Sequence, residues 1–164
     1  MHLTRINEEN CYKALRAAQR RFQLSAAPMK LKRLARNVNP VIVLCRRRTK
    51  WLADAYGVSL RAKVPEIQKH GLRESTTPYV VIGKRGYYML IDVYPKAFSK
   101  LEMTSWRYLK RVIAHELAHC VHNCTEQQNG YYTESDPATD HCEEWAQISR
   151  WCGGNDEPEI AYSK

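Results

Sequence analysis

One stretch restricts the fold of this chain more than any other: residues 104 to 124 read as a long helix with two unlike faces. At 100° per residue, one narrow stripe of this helix is apolar and the opposite side carries histidines. The pattern predicts a helix whose stripe packs on a core while its polar face lines a cleft. The stripe comprises Trp106, Leu109, Ile113, Leu117, Cys120 and Cys124, the other side carries Tyr108, His115, His119 and His122, and Thr104 is the expected N-cap.

The polar face of this helix contains the sequence His115-Glu116-Leu117-Ala118-His119, an HExxH motif. Positions i and i+4 are neighbours on a helix, so the imidazoles of His115 and His119 can reach one metal ion. Glu116 lies beside them, where a carboxylate can take a proton from water at the metal. The motif therefore predicts one catalytic Zn²⁺, with Glu116 as the general base.

A catalytic zinc ion usually has three protein ligands, so a further ligand must come from another part of the chain. We favour His141, which follows the long polar segment 125–140 and begins a new helical pattern. His122 lies on the correct face but a turn further along, so we place it in the cleft wall. The lower-ranking alternatives for the third ligand are Glu143, Glu144, His122, Asp136 and Asp140.

The charge of the chain is strongly positive: 26 Lys and Arg against 17 Asp and Glu give +9. Much of this charge lies in the first third of the chain and predicts attraction to polyanions, so we expect nucleic acid as a partner. The alternative is that these residues only form solvated helix faces. The basic residues concerned are Arg16, Arg20, Arg21, Lys30, Lys32, Arg33, Arg36, Arg46, Arg47, Arg48 and Lys50.

The first residues lack the apolar run of a secretory signal, and no stretch has the roughly 18 apolar residues that a membrane span needs. We therefore expect an intracellular protein, cytoplasmic or nuclear and not secreted, without a membrane partner and with reduced cysteines. A second, structural zinc site is disfavoured because no CxxC pair is present. Its ligands would be Cys120, Cys124, Cys142 and Cys152.

Periodicity and turn residues predict further elements on both sides of the long helix. Residues 87–93 read as a strand whose edge is a candidate for receiving an extended peptide. Segment 41–44 fits a strand or a helix. The predicted elements are helices at 7–24, 30–38, 49–56 and 141–151, the last closed by Gly153 and Gly154, and a hairpin of strands 79–82 and 87–93 joined by Lys84, Arg85 and Gly86.

The run HELAHCVHN, followed by Asp140-His141-x-x-x-Trp145, resembles the WLM metallopeptidase family and, more distantly, the SprT-like and Spartan proteases. In these families an HELxH helix is followed by a further histidine four positions before an aromatic residue. Residues 123–140 separate the two parts, whereas WLM proteins pass almost directly from one to the other. The resemblance covers residues 34–151, and its specific parts are 115–122 and 140–145.

The resemblance implies an α+β, zincin-like fold in which a small antiparallel sheet or hairpin packs on the HExxH helix, after a helical N-terminal region. It implies a single domain over 1–164, with a basic, mostly helical part at 1–48 and a catalytic core at 76–152. It also implies one Zn²⁺ held by His115, His119 and His141, with Glu116 as general base and acid.

The implied activity is that of a zinc metalloendopeptidase, a hydrolase acting on protein substrates, including proteins bound or crosslinked to DNA. Tyr131 and Tyr132, in the polar segment, are candidate donors to the oxyanion of peptide hydrolysis. The alternative function is a zinc-stabilised nucleic-acid-binding protein with weak or no proteolytic activity.

Overall fold

The structure is a computed structural model that describes residues 5–45, 58–61, 73–74, 81–83, 86–98, 105–129 and 142–154. Helices and strands both occur, so a mixed fold of helices and a sheet is confirmed. The helices are α1 (Glu8–Leu24), α2 (Met29–Arg36), α3 (Trp106–Asn129) and α4 (Glu143–Cys152), with a 3₁₀ turn at Pro95–Ala97. The strands are β1 (Val38–Leu44), β2 (Val58–Arg61), β3 (Arg73–Glu74), β4 (Val81–Gly83) and β5 (Gly86–Val93).

Helix α1 begins where its sequence supplies a cap. The Asn7 side chain accepts a hydrogen bond from the Asn10 backbone N–H at 2.8 Å, which satisfies a donor that a helix start leaves free. Acidic residues in the first turn suit the positive end of the helix dipole. The buried face, spaced at three and four residues as predicted, consists of Cys11, Ala14, Leu15, Ala18 and Phe22.

Strand β1 begins directly after α2 and contains Pro40. The helix predicted over 30–38 ends early, at Arg36, because Val38 already pairs with Tyr87 in the sheet. The ambiguous segment 41–44 is strand. Burial alternates along β1, with Val38, Pro40 and Ile42 facing the core.

The sheet is mixed, and its most extensive pairing is parallel. All seven residues of β1 pair with β5, from Val38 opposite Tyr87 to Leu44 opposite Val93. Strands β2 and β4 lie antiparallel on the other side of β5, and β3 extends the sheet from β4. The prediction of an antiparallel sheet is therefore wrong for the main pair. The prediction that strand 87–93 offers a free edge to an extended peptide is also wrong, because β5 pairs with strands on both sides.

Helix α3 differs from its prediction at both ends. Its cap is Ser105, whose hydroxyl accepts a hydrogen bond from the Tyr108 backbone N–H at 3.1 Å, and not the expected Thr104. The helix continues to Asn129, so the first residues of the segment predicted as a loop are helical. Thr125 fits there because its hydroxyl donates to the His122 carbonyl, and the glutamate and glutamines that follow are good helix formers.

Helix α4 begins at Glu143, two residues later than predicted, and ends at Gly153 as expected. Gly153 has a φ of +83°, a left-handed conformation that glycine adopts without a steric penalty.

Helix α3 contacts α1, α2, α4 and strands β1, β2 and β5, so the core lies around it. Among the helices described, none is both long enough and apolar enough to cross a membrane. The helix predicted over 49–56 lies outside the described residues.

Two of the buried thiols, those of Cys11 and Cys152, are expected to react slowly. Burial raises the pKa of Cys11 and of Cys152 from 9.0 to about 12, with Glu8 adding to the rise at Cys11 and Arg21 opposing it at Cys152. Thiolates are the reactive form, so at pH 8 alkylation followed by mass spectrometry should modify the partly exposed Cys45 well before either of them. Equal labelling rates in the folded protein would contradict the burial. The pKa of each thiol is higher in the folded protein than in the unfolded chain. The contribution of the two neutral thiols to the free energy of unfolding is therefore complete below pH 9 and is lost as the pH rises toward 12.

Candidate metal centre

Helix α3 brings the two motif histidines together as the i, i+4 spacing predicts. The Nε2 atoms of His115 and His119 lie 3.1 Å apart, and their ring centroids lie 4.8 Å apart at an interplanar angle of 68°. Both rings therefore direct the same nitrogen to a common point. His119 is 6% exposed and His115 is half-buried, so the pair borders the core and retains access to solvent.

The separation of these nitrogens suits a shared metal ion. Two nitrogens that bind one zinc ion tetrahedrally at about 2.0–2.1 Å lie about 3.3–3.4 Å apart. The observed 3.1 Å is within a few tenths of an ångström of that value. The same distance suits a hydrogen bond in which one neutral imidazole donates and the other accepts. The residues present fit zinc at this point without a backbone rearrangement.

Glu116 is the carboxylate of the centre. It lies on α3 directly after His115 and is 6% exposed, which is unusual for a glutamate. Desolvation disfavours a buried carboxylate, so its placement among core residues has a cost in stability that a solvent-exposed glutamate would not have. Its place in the chain, directly after His115, is the one that the HExxH motif gives to a general base, and that role stays a prediction.

His122 occupies a different position from the pair. It is buried, and its Nε2 lies 3.6 Å from Cys142 Sγ and 3.8 Å from a carboxylate oxygen of Glu144. These contacts join the middle of α3 to the start of α4. The position of His122 in the wall of a cleft stays a prediction.

Two of the acidic alternatives for the third ligand, Glu143 and Glu144, have mostly exposed side chains. Glu143 accepts a hydrogen bond from Arg150 at 3.0 Å, and Glu144, which is 77% exposed, has one oxygen near His122. Within the described ranges, no set of three His, Cys, Asp or Glu side chains converges as a metal site. His141, Asp136 and Asp140 lie outside those ranges, so the third ligand stays a prediction.

The candidate oxyanion donors, Tyr131 and Tyr132, also lie outside the described residues. Of the four cysteines considered for a second zinc site, Cys120 and Cys152 are buried in the apolar core. There they behave as small hydrophobic residues.

Trp145 is the residue at this centre to which sequence reasoning assigned no role. It is 0% exposed, and its ring lies 4.8 Å from the centroid of His115 and 5.0 Å from that of His119. The periodicity of α4 contains the relevant signal, because positions 145, 148, 149 and 152 form its buried stripe. That stripe predicts that Trp145 is buried, but it does not identify the residues that Trp145 contacts.

Most of the predicted basic residues that belong to α1 and α2 lie on the outer faces of these helices, whereas Arg46, Arg47, Arg48 and Lys50 lie outside the described residues. Arg16, Arg20, Arg21, Lys30 and Arg33 are all exposed. A shallow pocket of about 550 Å³ lies between the C-terminal ends of α1 and α4. Its lining includes Arg20, Arg21 and Arg150.

Comparison with known proteins adds no relative: no protein-family model, no curated protein and no solved structure matches this chain.

The geometry predicts that the folded protein binds one zinc ion per chain and that His119→Ala abolishes this binding. His122→Ala is the matched control, because His122 lies on the same helix but does not belong to the His115–His119 pair. Zinc at about 100 times its Kd should stabilise the parent and the control by about 2.7 kcal/mol in thermal unfolding. Elemental analysis gives the stoichiometry. Zinc retained by His119→Ala, or lost equally from both variants, would contradict the assignment.

Proposed function

We propose that this protein is a zinc-dependent endopeptidase with a zincin-like fold, hydrolysing peptide bonds of protein substrates. The observation that carries the proposal is the convergence of the His115 and His119 Nε2 atoms to 3.1 Å, with the buried Glu116 beside them. The sequence resemblance to WLM and SprT-like metallopeptidases supports the same reading. His141 would be the third ligand.

The chemistry expected of the centre is hydrolysis by activated water. Zinc held by these residues would supply Lewis acidity, which favours ionisation of water and polarises a peptide carbonyl. Glu116 would accept a proton on its carboxylate as the water oxygen attacks the carbonyl carbon. It would then deliver that proton to the amine nitrogen as the C–N bond breaks, so that atoms and charges balance. The two histidines would fix the site at which this happens.

Glu116→Gln tests the role of the carboxylate. The amide is close in size but cannot take a proton, so peptidase activity should fall about 10²–10⁴-fold while zinc binding is retained. Glu9→Gln, the same change at an exposed position on α1, is the control and should leave activity unchanged. Cleavage of an unfolded basic protein, followed by mass spectrometry, measures both. A Glu116→Gln variant as active as the parent would exclude this mechanism.

We further propose that nucleic acid is a partner, through the exposed arginines of α1, and that the substrates include proteins bound or crosslinked to DNA. Arg150 of the pocket already pairs with Glu143 at 3.0 Å. Within the described residues no carboxylate forms an ion pair with Arg20, which leaves its charge available to a phosphate. This partner also fits the alternative function, a nucleic-acid-binding protein in which zinc only stabilises the fold.

Salt dependence tests this partner. The affinity for a labelled oligonucleotide should fall steeply with salt, and the double variant Arg16→Gln/Arg20→Gln should reduce the slope of log K against log salt by about 2. Arg107→Gln, an exposed arginine of α3, is the control. Fluorescence anisotropy gives the affinities. Binding that is absent or insensitive to salt would exclude nucleic acid, whereas binding without any peptidase activity would favour the alternative function.

A further inference from the structure

Three aromatic rings form a compact cluster at the candidate metal centre. The centroids of His115, His119 and Trp145 lie 4.8, 4.8 and 5.0 Å from one another. Trp145 stacks on His119 with an interplanar angle of 22°, and it meets His115 edge-to-face at 66°. One indole therefore contacts two imidazoles that a single metal ion would need.

The indole is itself held firmly. Trp145 is fully buried, and the close packing of protein interiors restricts a change of its rotamer. The other end of α4 also meets α3. The Gly154 N–H donates to the Ser149 carbonyl of α4 at 2.8 Å, and Gly154 lies against the α3 backbone at His115. A Cβ at Gly154 would lie 3.0 Å from the His115 nitrogen. Helix α4 thus contacts α3 at the imidazoles and at the backbone that carries them.

An imidazole on a helix keeps rotational freedom that metal binding must remove. Ordering a side chain costs free energy, and a site already in its binding conformation avoids part of that cost. The stacked face of the indole restricts rotation of His119, and its contact with His115 restricts the second ring. Both Nε2 atoms then keep the direction that brings them to 3.1 Å.

We propose that Trp145 is a positioning residue that holds both imidazoles in their metal-binding orientation before the metal arrives. The proposal rests on the function proposed above and adds a requirement that the HExxH motif does not contain. A hydrogen-bonding partner is the usual device for orienting a ligand histidine. At this centre, aromatic packing performs that task for two histidines at once.

The competing explanation is that Trp145 only fills the core. Trp151 separates the two explanations, because it lies on the same helix and packs edge-to-face on Phe22, with ring centroids 6.3 Å apart. Removing either indole from α4 costs packing energy. Only removal of Trp145 frees the imidazoles.

The experiment compares Trp145→Leu, Trp145→Phe and Trp151→Leu in the full chain. Zinc affinity is measured by competition with a chromophoric chelator, at a temperature where each variant is folded by circular dichroism. Trp145→Leu should weaken zinc binding about 10–100-fold. Trp145→Phe should retain affinity within a few-fold because a ring remains, and Trp151→Leu should match the parent. The visible spectrum of bound Co²⁺ should change for Trp145→Leu alone.

Equal zinc affinity in Trp145→Leu and the parent would overturn the proposal, and so would an equal loss in Trp151→Leu. If Trp145→Leu does not fold, NMR relaxation of the His115 and His119 ring C–H groups in the metal-free parent decides. We expect both rings to be as rigid as the backbone, with order parameters of about 0.85. Freely rotating rings would overturn the proposal. If the parent binds no zinc, both the proposed function and this role of Trp145 are excluded. If the parent binds zinc and the Trp145 variants bind it equally well, only the role of Trp145 is excluded.

Discussion

Helix α3 contacts three other helices and three strands, and those contacts require it to be buried on more than one side. Leu109, Ile113 and Leu117 belong to its apolar stripe and lie in the core, where their burial favours folding by roughly 1.5–3 kcal/mol each. The face that carries the histidines is covered as well, by Trp145 of α4. Because one rigid element carries both the core stripe and the motif, packing of the stripe also orients the imidazoles.

The local parts of this architecture could be predicted from the sequence. Helix α1, the buried stripe of α3 from Leu109 to Cys120, the αL end of α4 at Gly153 and the pairing of β4 with β5 all depend on signals within a few residues. Trp106, predicted to lie in that stripe, is instead 36% exposed at the start of α3. The convergence of His115 and His119 belongs to the same class, since it follows from the rise and twist of one helix.

The long-range parts could not be predicted. The parallel pairing of β1 with β5 joins segments about forty residues apart, and Pro40 suggested a helix end and not a strand. The contact of His122 with Cys142 and the ring cluster around Trp145 depend on how α4 docks on α3. No periodicity within either helix specifies that docking, because a stripe predicts burial but not the partner that covers it.

The interface between α3 and α4 is polar to an extent that stability alone does not explain. Glu116, His119, His122 and Ser149 are all buried. Burying such groups costs free energy unless each finds hydrogen-bond partners, and apolar side chains of similar volume would be cheaper. On the proposed function, keeping such groups in the interior serves the chemistry of the centre.

The outer side of β1 has a consequence for association of this protein with other chains. Among the described strands β1 lies at one end of the sheet, and a strand edge without a neighbouring strand is a template for addition of another strand. The Ile42 backbone N–H points outward and donates to the Tyr12 hydroxyl at 3.2 Å, and residue 40, which faces the same way, is a proline without an N–H. Two successive positions along this border therefore offer no donor to an incoming strand, which protects the sheet from growth into fibrils at this side.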